Sequence, residues 1–134
     1  MLFRSQVFAD DCQRRPELKV LYLRKIAKAN AEQVADLRKS VLHSLPHTYL
    51  DTKKRIDFPN GSFVILGNYK DESDLDNYLG QQYDLIMVEE SNQLTFSKLK
   101  NIMSCLRTSK PDWKPRAYLL TNPGGVGQIG RAHV

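Results

Sequence analysis

The chain has 134 residues, of which 41% are hydrophobic, and its 20 lysines and arginines outweigh 15 acids to give a formal net charge of +5. This length provides about one small domain, and no apolar run is long enough to cross a membrane as a helix. The cysteines, Cys12 and Cys105, have no metal-binding spacing and indicate a reducing compartment. The positive charge suits a polyanionic partner such as DNA or a nucleotide, although a surface coated with lysine and arginine explains it equally well.

In the first third of the chain, the sequence predicts two helices with one strand between them. Leu2–Arg15 is predicted to be a helix with one apolar face, and Pro16 ends it. Lys19–Leu23 has the composition of a buried strand and is followed by Arg24. Asn30 can cap a second helix. The apolar stripe of this second helix consists of Val34, Leu37, Val41 and Leu42.

The pattern changes in the middle of the chain. Arg55–Phe58 and Ser62–Leu66 are rich in strand-forming residues and flank Pro59–Gly61, which is a turn signal. We therefore expect a β-hairpin. Asp71–Tyr78 is predicted to be a short acidic helix or turn, which Gly80 closes.

The strongest chemical signal lies just after this region. Leu85–Val88 is a short apolar run typical of a strand buried on both faces, and Glu89 and Glu90 follow at its C-terminal end. Ligands of open α/β sheets lie outside the carboxyl ends of the strands. The layout is that of a Walker B strand, in which the first acid holds Mg²⁺ and the second orients or deprotonates the attacking water. A buried strand that simply ends in polar surface residues is the alternative interpretation.

The remaining elements follow the same alternation. Thr95 can cap a helix, Pro111 and Pro115 bracket a loop that contains Trp113, and Ala117–Leu120 is a last buried strand. The apolar positions of the predicted helix are Phe96, Leu99, Ile102, Met103 and Leu106.

Strands that alternate with helices predict a doubly wound α/β sheet that is mainly parallel and flanked by helices. We expect Lys19–Leu23, Leu85–Val88 and Ala117–Leu120 to be parallel, with the acid-bearing strand in the middle. The ends of these strands would bring Arg24, Glu89 and Thr121 to one edge of the sheet.

Four motifs in fixed order resemble the ATPase domain of tailed-phage terminase large subunits, the motors that package double-stranded DNA into procapsids. The resemblance covers Leu2 to Gly127, nearly the whole chain. The motifs are Gly61–Gly67, Leu79–Gly80, Tyr83–Glu90 and Leu120–Gly125. The resemblance implies a RecA-like P-loop NTPase fold of the additional-strand class, with the β-hairpin as an insertion. In the family, the strand before the phosphate-binding loop lies beyond the strand that corresponds to Ala117–Leu120, so we expect that edge to be unpaired here.

The resemblance also implies roles for individual residues, with ATP and Mg²⁺ as cofactors. Glu89 corresponds to the acid at the Mg²⁺ position, where many relatives have Asp, and Glu90 to the catalytic acid that activates water. Thr121 and Asn122 correspond to the coupling motif, which senses the γ-phosphate and relays hydrolysis to DNA movement. Arg24 lies in a basic segment close to the nucleotide.

The partners implied by the family are double-stranded DNA, the portal protein and the small terminase subunit, with a homo-oligomeric ring as the assembly. No membrane is implied. The family works in the host cytoplasm, docked on the procapsid during packaging.

The sequence departs from the family in lacking the Walker A pattern that cradles phosphate. We interpret residues 1–127 as a partial terminase-like ATPase domain that begins just past this loop, without the nuclease domain. Residues 128–134 are interpreted as a non-native tail, because Ile129–Val134 resembles the translation of a sequencing adapter. Alone, such a fragment is expected to be inactive.

Two other functions stay open. One is a different P-loop ATPase such as a helicase-type DNA translocase, although its acid pair would more often be Asp-Glu followed by Ala-His, whereas Ser91 and Asn92 follow here. The other is a basic α/β module that binds nucleic acid or a protein without hydrolysis.

Overall fold

The computed structural model describes residues 9–25, 35–39, 42–69, 72–89, 91, 94–120 and 129–132. Seven strands, a 3₁₀ helix and three α-helical segments fall within these ranges, and the first two of these segments are α1 (residues 9–14) and α2 (residues 35–39). The strands are β1 (Lys19–Lys25), β2 (Thr48–Leu50), β3 (Arg55–Asp57), β4 (Phe63–Tyr69), β5 (Leu85–Val88), β6 (Arg116–Leu120) and β7 (Ile129–Ala132). The 3₁₀ helix spans Glu72–Tyr78, and the helix α3 spans Phe96–Met103.

The strands form one sheet in the order β2-β3-β4-β1-β5-β6-β7. Its centre, β4-β1-β5-β6, is parallel, and the strands on either side are antiparallel. In register, Leu21 lies beside Ile86 and Ile86 beside Ala117. The three predicted parallel strands are therefore confirmed, with the acid-bearing strand between the other two.

Burial explains why β5 lies at the centre. All four of its residues, Leu85–Val88, are at most 1% exposed. Successive side chains on a strand point to opposite faces, so the unbroken apolar run fills two cores. One core contains Leu85 and Met87 together with residues of α1 and α2, and the other contains Ile86 and Val88 together with residues of the 3₁₀ helix and α3. Helices therefore cover both faces of the sheet, as the α/β fold class requires.

The parts of the first two predicted helices that the structure describes agree with the sequence. The helix α1 ends before Pro16, and its Cys12 is fully buried. On α2 and just after it, the stripe residues Leu37 and Leu42 are 5% and 0% exposed. The other stripe positions, Val34 and Val41, lie outside the described residues, as do Leu2–Phe8 and Asn30.

The predicted hairpin is confirmed, and it is part of the sheet. β3 pairs antiparallel with β4, and the turn between them ends at Gly61, whose φ of +92° an L side chain rarely adopts. β4 then lies parallel to β1. The short strand β2, which the sequence did not predict, extends the sheet by pairing with β3.

The helix α3 begins as predicted, because the hydroxyl of Thr95 accepts a hydrogen bond from the backbone N–H of Lys98 at 3.3 Å. Ile102 is fully buried, but Phe96 is 80% exposed. The apolar residues that the sequence assigned to this helix therefore differ in burial. Phe96 is the first helical residue and is not packed in either core, whereas Leu106, beyond the helix, is buried.

The edge at β6 is also different from the prediction. β7 pairs antiparallel with β6, with Ile129 beside Leu120 and Ala132 beside Ala117. The expectation of an unpaired edge is therefore wrong, because residues of the predicted non-native tail supply the hydrogen-bonding partner. The origin of that tail stays a prediction.

Candidate functional site

The site is built where the parallel strands β1 and β5 end side by side. Leu23 lies beside Val88 in register, and the backbone N–H of Glu89 donates to the carbonyl of Leu23 at 2.9 Å. Arg24, near the end of β1, and Glu89, directly after β5, therefore lie at the same edge of the sheet. Arg24 is half-buried, and Glu89 is only 6% exposed. The structure thus places these two predicted site residues at the same edge of the sheet, and their roles stay a prediction.

The carboxylate of Glu89 is held by a tyrosine from the neighbouring strand. The phenol of Tyr22, in β1, donates a hydrogen bond to Oε2 of Glu89. Tyr22 is 3% exposed. A buried carboxylate costs free energy unless it is hydrogen-bonded, and a bond to a charged acceptor is among the stronger ones in proteins. This contact fixes the orientation of the acid at the end of β5.

A second tyrosine approaches the backbone of the same residue. The hydroxyl of Tyr69, at the end of β4, donates to the carbonyl of Glu89 at a long 3.4 Å. Tyr69 is 2% exposed and belongs to the core on the opposite face from Tyr22. Glu89 is therefore contacted from both faces of the sheet, by its side chain on one and by its carbonyl on the other.

The segment after β5 is tied to the end of β6. Ser91 is 8% exposed, and its hydroxyl donates to the carbonyl of Leu120 at 3.2 Å. Leu120 is the last residue of β6 and directly precedes Thr121 in the sequence. The ends of β5 and β6 are therefore joined at the edge where the sequence predicted the coupling residues. Glu90, Thr121 and Asn122 themselves lie outside the described residues.

Near the neighbouring end of β4, a tyrosine side chain forms hydrogen bonds with the strand's backbone. Asn68 lies beside Arg24 in register. The phenol oxygen of Tyr78 accepts from the backbone N–H of Asn68 at 3.1 Å and lies 3.4 Å from its carbonyl. Burial raises the pKa of Tyr78, although the hydrogen bond to Asn68 acts in the opposite direction. Tyr78 therefore stays a neutral hydrogen-bonding group at neutral pH.

The donor set suits a magnesium ion that is shared with a phosphate ligand. Mg²⁺ is usually bound by one or two carboxylates together with substrate phosphates, and it retains several waters. Glu89 supplies one oriented carboxylate at the sheet edge. Within the described parts of the chain, no group of three or more His, Cys, Asp or Glu side chains is positioned to hold a metal ion. Glu89 could therefore supply one carboxylate ligand to a metal ion, and the described residues alone form no complete set of protein ligands.

Sequence reasoning missed Tyr22 and Ser91 as members of this site. Tyr22 was visible only as one residue of a buried strand, although a buried tyrosine usually needs a partner for its hydroxyl. That signal shows that a partner exists but not which residue it is. Ser91 gave no comparable signal, because its contact depends on β6 lying next to β5.

At the opposite end of β5, Asp84 fastens the strand to its neighbours. Its carboxylate accepts from the backbone N–H of Lys19 at 2.9 Å and forms an ion pair with Lys110 at 2.8 Å. Its carbonyl accepts from the indole N–H of Trp113 at 2.9 Å. The bond to Lys19 joins the start of β1 to the start of β5, and the bonds to Lys110 and Trp113 join β5 to the loop that precedes β6.

No model of a known protein family matches the chain, and no curated protein matches it. Among solved structures, the large terminase of a thermophilic bacteriophage (crystal form 2) is similar, with a TM-score of 0.55 and 14% sequence identity. The match covers 78% of this chain and 27% of that terminase. The likeness shows the fold alone: the chain shares with part of that large terminase a mixed α/β architecture, in which a mainly parallel sheet is flanked by helices. Among the residues that the structure describes, no helix is long and apolar enough to span a membrane.

Proposed function

We propose that this chain is part of the ATP-hydrolysing motor of a phage terminase large subunit, which packages double-stranded DNA into procapsids. The observation that supports this most directly is the position of Glu89, a buried and oriented acid at the end of the central parallel strand. In open α/β sheets this edge binds ligands. The fold likeness to a large terminase and the order of the sequence motifs point in the same direction.

Each residue of the proposed site has its own task. Glu89 would hold Mg²⁺, which supplies positive charge to the phosphates of ATP when both are bound. Glu90 would orient or deprotonate the attacking water, so it is the proposed catalytic acid. Arg24, one strand away, would lie close to the nucleotide. Thr121 and Asn122 cannot act as bases and would sense the γ-phosphate by hydrogen bonding.

Tyr22 is a positioning residue in this proposal. It acts through the carboxylate of Glu89, to which it donates a hydrogen bond. An acid that is already held in one orientation loses less conformational freedom when it binds a metal. The hydrogen bond from Tyr22 therefore prepares Glu89 for the metal before the nucleotide arrives.

The proposed partners are double-stranded DNA, a portal protein and a small terminase subunit, and the proposed assembly is a homo-oligomeric ring. The place of action is the host cytoplasm, with the motor docked on the procapsid. No membrane takes part.

The chain alone is expected to be inactive, because its sequence lacks the Walker A lysine and glycine-rich loop that would stabilise the phosphates. The first experiment therefore measures steady-state ATP turnover by the purified chain against its Glu90→Gln variant. We expect the chain and the variant to hydrolyse ATP at the same background rate. Turnover above the variant would show that the phosphates are bound without such a loop and would contradict the proposal.

The decisive experiment uses the longer motor protein of which, in this proposal, the chain is a part. Glu90→Gln is expected to abolish ATP turnover and to retain ATP binding, because orienting the water is a task of the transition state and contributes little to ground-state affinity. Loss of both binding and turnover would contradict the role given to Glu90. Asp76→Asn, at an exposed acid of the 3₁₀ helix, is the matched control and should keep both.

The amino-acid sequence of that longer protein would distinguish the terminase from the two alternative functions. A downstream nuclease domain with clustered acids favours the terminase over a helicase-type translocase. The non-enzymatic nucleic-acid-binding module requires that no Walker A loop precedes this chain, and it predicts no turnover even in the longer protein.

A further inference from the structure

A groove of about 580 Å³ lies between the end of α2 and the start of β2. β2 is the outermost strand on its side of the sheet, so the groove lies at the rim of the sheet, away from Glu89. Its lining contains two permanent cations and two imidazoles but no acid. The lining residues are Ala35, Arg38, Lys39, Leu42, His43, Leu45, Pro46 and His47.

The cations of this groove are not neutralised by any acid that the structure describes. Arg38 and Lys39 are exposed, and no described acid forms an ion pair with either of them. The basic run at the turn between β2 and β3 is different. There Lys54 pairs with Asp51 at 3.6 Å. Arg55 in β3 pairs with Asp57 through two hydrogen bonds of 2.7 and 3.0 Å.

The two sides of the groove are held at a fixed distance. Nε of Arg38 donates to Nε2 of His47 at 3.1 Å. Because Nε2 accepts, the proton of the neutral imidazole is on Nδ1, which donates to the carbonyl of Leu45 at 2.8 Å. This bond uses only Nε, so the two terminal nitrogens of the Arg38 guanidinium stay available for an anion. Those nitrogens are the ones with which arginine grips phosphate.

We propose that this groove, formed by Arg38, Lys39, His43 and His47, binds the phosphate backbone of a nucleic acid. An open groove at the rim of the sheet admits a chain of phosphates. The apolar floor from Leu42, Leu45 and Pro46 offers no group that would recognise a base edge. The contact is therefore sequence-independent, as contacts to phosphate are. The inference rests on the proposed function, in which double-stranded DNA is the partner, and adds the surface that meets it.

The test is fluorescence anisotropy of a short labelled DNA duplex with the complete chain, without nucleotide, from about 50 to 200 mM KCl. The groove variant is Arg38→Gln with Lys39→Gln. Its matched control, Lys53→Gln with Lys54→Gln, removes the same charge outside the groove. Each phosphate contact contributes about 0.9 to the slope of log affinity against log salt, so the groove variant should lose about 2 from the slope and about tenfold in affinity. The control should keep the slope.

Three results would overturn the proposal. Unchanged binding by the groove variant would exclude the groove. Equal losses in both variants would show that only the net charge of the chain matters. Saturable binding of inorganic phosphate that displaces the duplex, compared with chloride at the same ionic strength, would assign the groove to a free anion. Because the assay contains no ATP, its failure is distinct from a failure of the proposed ATPase activity.

Discussion

The phenol of Tyr22 donates a hydrogen bond to the carboxylate of Glu89, and this bond joins the neighbouring strands β1 and β5 near the point where both end. Both residues are buried, at 3% and 6% exposure. The orientation of the acid thus depends on a side chain more than sixty positions earlier in the sequence. Stability and metal binding should therefore both respond to the same hydroxyl.

Replacing this hydroxyl is the first test. Tyr22→Phe should lower the free energy of unfolding by about 2 kcal/mol, because a hydrogen bond to a charged, buried acceptor is lost. Urea denaturation of the chain measures this change. In the longer protein, the same variant should raise the Mg²⁺ concentration needed for half-maximal ATP turnover.

Tyr49→Phe is the matched control for Tyr22→Phe. The hydroxyl of Tyr49 donates to Asp51 at 3.2 Å in a partly exposed position, so its loss should cost less than about 0.5 kcal/mol. If both variants are equally stable and the Mg²⁺ dependence does not move, Tyr22 does not position Glu89.

The coupling role of Asn122 gives the second prediction, on the longer protein. Asn122→Ala should leave ATP binding near normal and reduce the amount of DNA packaged per ATP, because the side chain can hydrogen-bond but cannot transfer a proton as a base. Paired assays of ATP turnover and DNA packaging measure this ratio. An unchanged ratio would mean that Asn122–Gly125 is only a turn, which its composition also explains.

A close approach at Gly67 gives the third prediction. A Cβ added to Gly67 would lie 2.7 Å from Cδ2 of Leu23 and 2.8 Å from the ring of Tyr78. Gly67→Ala should therefore lower the free energy of unfolding by about 1–3 kcal/mol, the usual cost of overpacking. Gly80→Ala is the comparison, since nothing lies within 4 Å there and only its φ of +85° is unfavourable. If Gly67→Ala lowers the free energy of unfolding less than Gly80→Ala does, the side chains around Gly67 adjust to the added methyl group at little cost.

The fourth prediction concerns pH and Asp11. Burial raises the pKa of Asp11 above its ordinary value of 3.8, with Arg116 acting in the opposite direction at 3.5 Å. Its Oδ2 is buried without a hydrogen-bond partner among the described residues. A raised pKa in the folded chain means that the unfolded chain loses its proton first, so stability falls as pH rises from the unfolded value to the folded one. Below both values the effect vanishes.

Asp11→Asn should remove this loss. The variant should therefore gain stability relative to the parent chain as the pH rises above 3.8, the ordinary value for Asp, as measured by urea denaturation at several pH values. A constant difference across this range would mean that Asp11 does not titrate differently in the folded and unfolded chains.

The fifth prediction concerns thiol chemistry. Burial, aided by the charge of Asp11, raises the pKa of Cys12 to about 12, and the side chain is fully buried. The thiolate is the reactive form, so Cys12 should not react with a thiol reagent until the chain unfolds. A Cys105→Ser variant leaves Cys12 as the single reporter. Rapid labelling of that variant in native buffer would contradict the burial of Cys12.

The centre of the fold could be predicted from local pattern, because its signals are local. The unbroken apolar run gave the bounds of β5 without error, and its burial on both faces required helices on both sides. The turn signal at Pro59–Gly61 likewise located the β3–β4 hairpin. In each case one short stretch contains all the information that defines the element.

The contacts of the site could not be predicted in this way. The bond between Tyr22 and Glu89 and the bond between Ser91 and Leu120 both join neighbouring strands that are distant in sequence. The periodicity of apolar residues describes one element at a time, so it cannot show which residues of two different strands form a hydrogen bond. The sequence also extended the third helix to Leu106, whereas α3 ends at Met103 and leaves its first residue, Phe96, exposed.

The pairing of β7 with β6 implies a competition between strands. In the motor proposed above, the place beside β6 would belong to a parallel strand that leads into the phosphate-binding loop. Here residues 129–132 fill it in the antiparallel direction, with Leu120 beside Ile129. One edge can pair with only one strand at a time, so in the proposed motor a chain that contains both strands would have to displace residues 129–132 before a phosphate-binding loop could assemble next to Glu89.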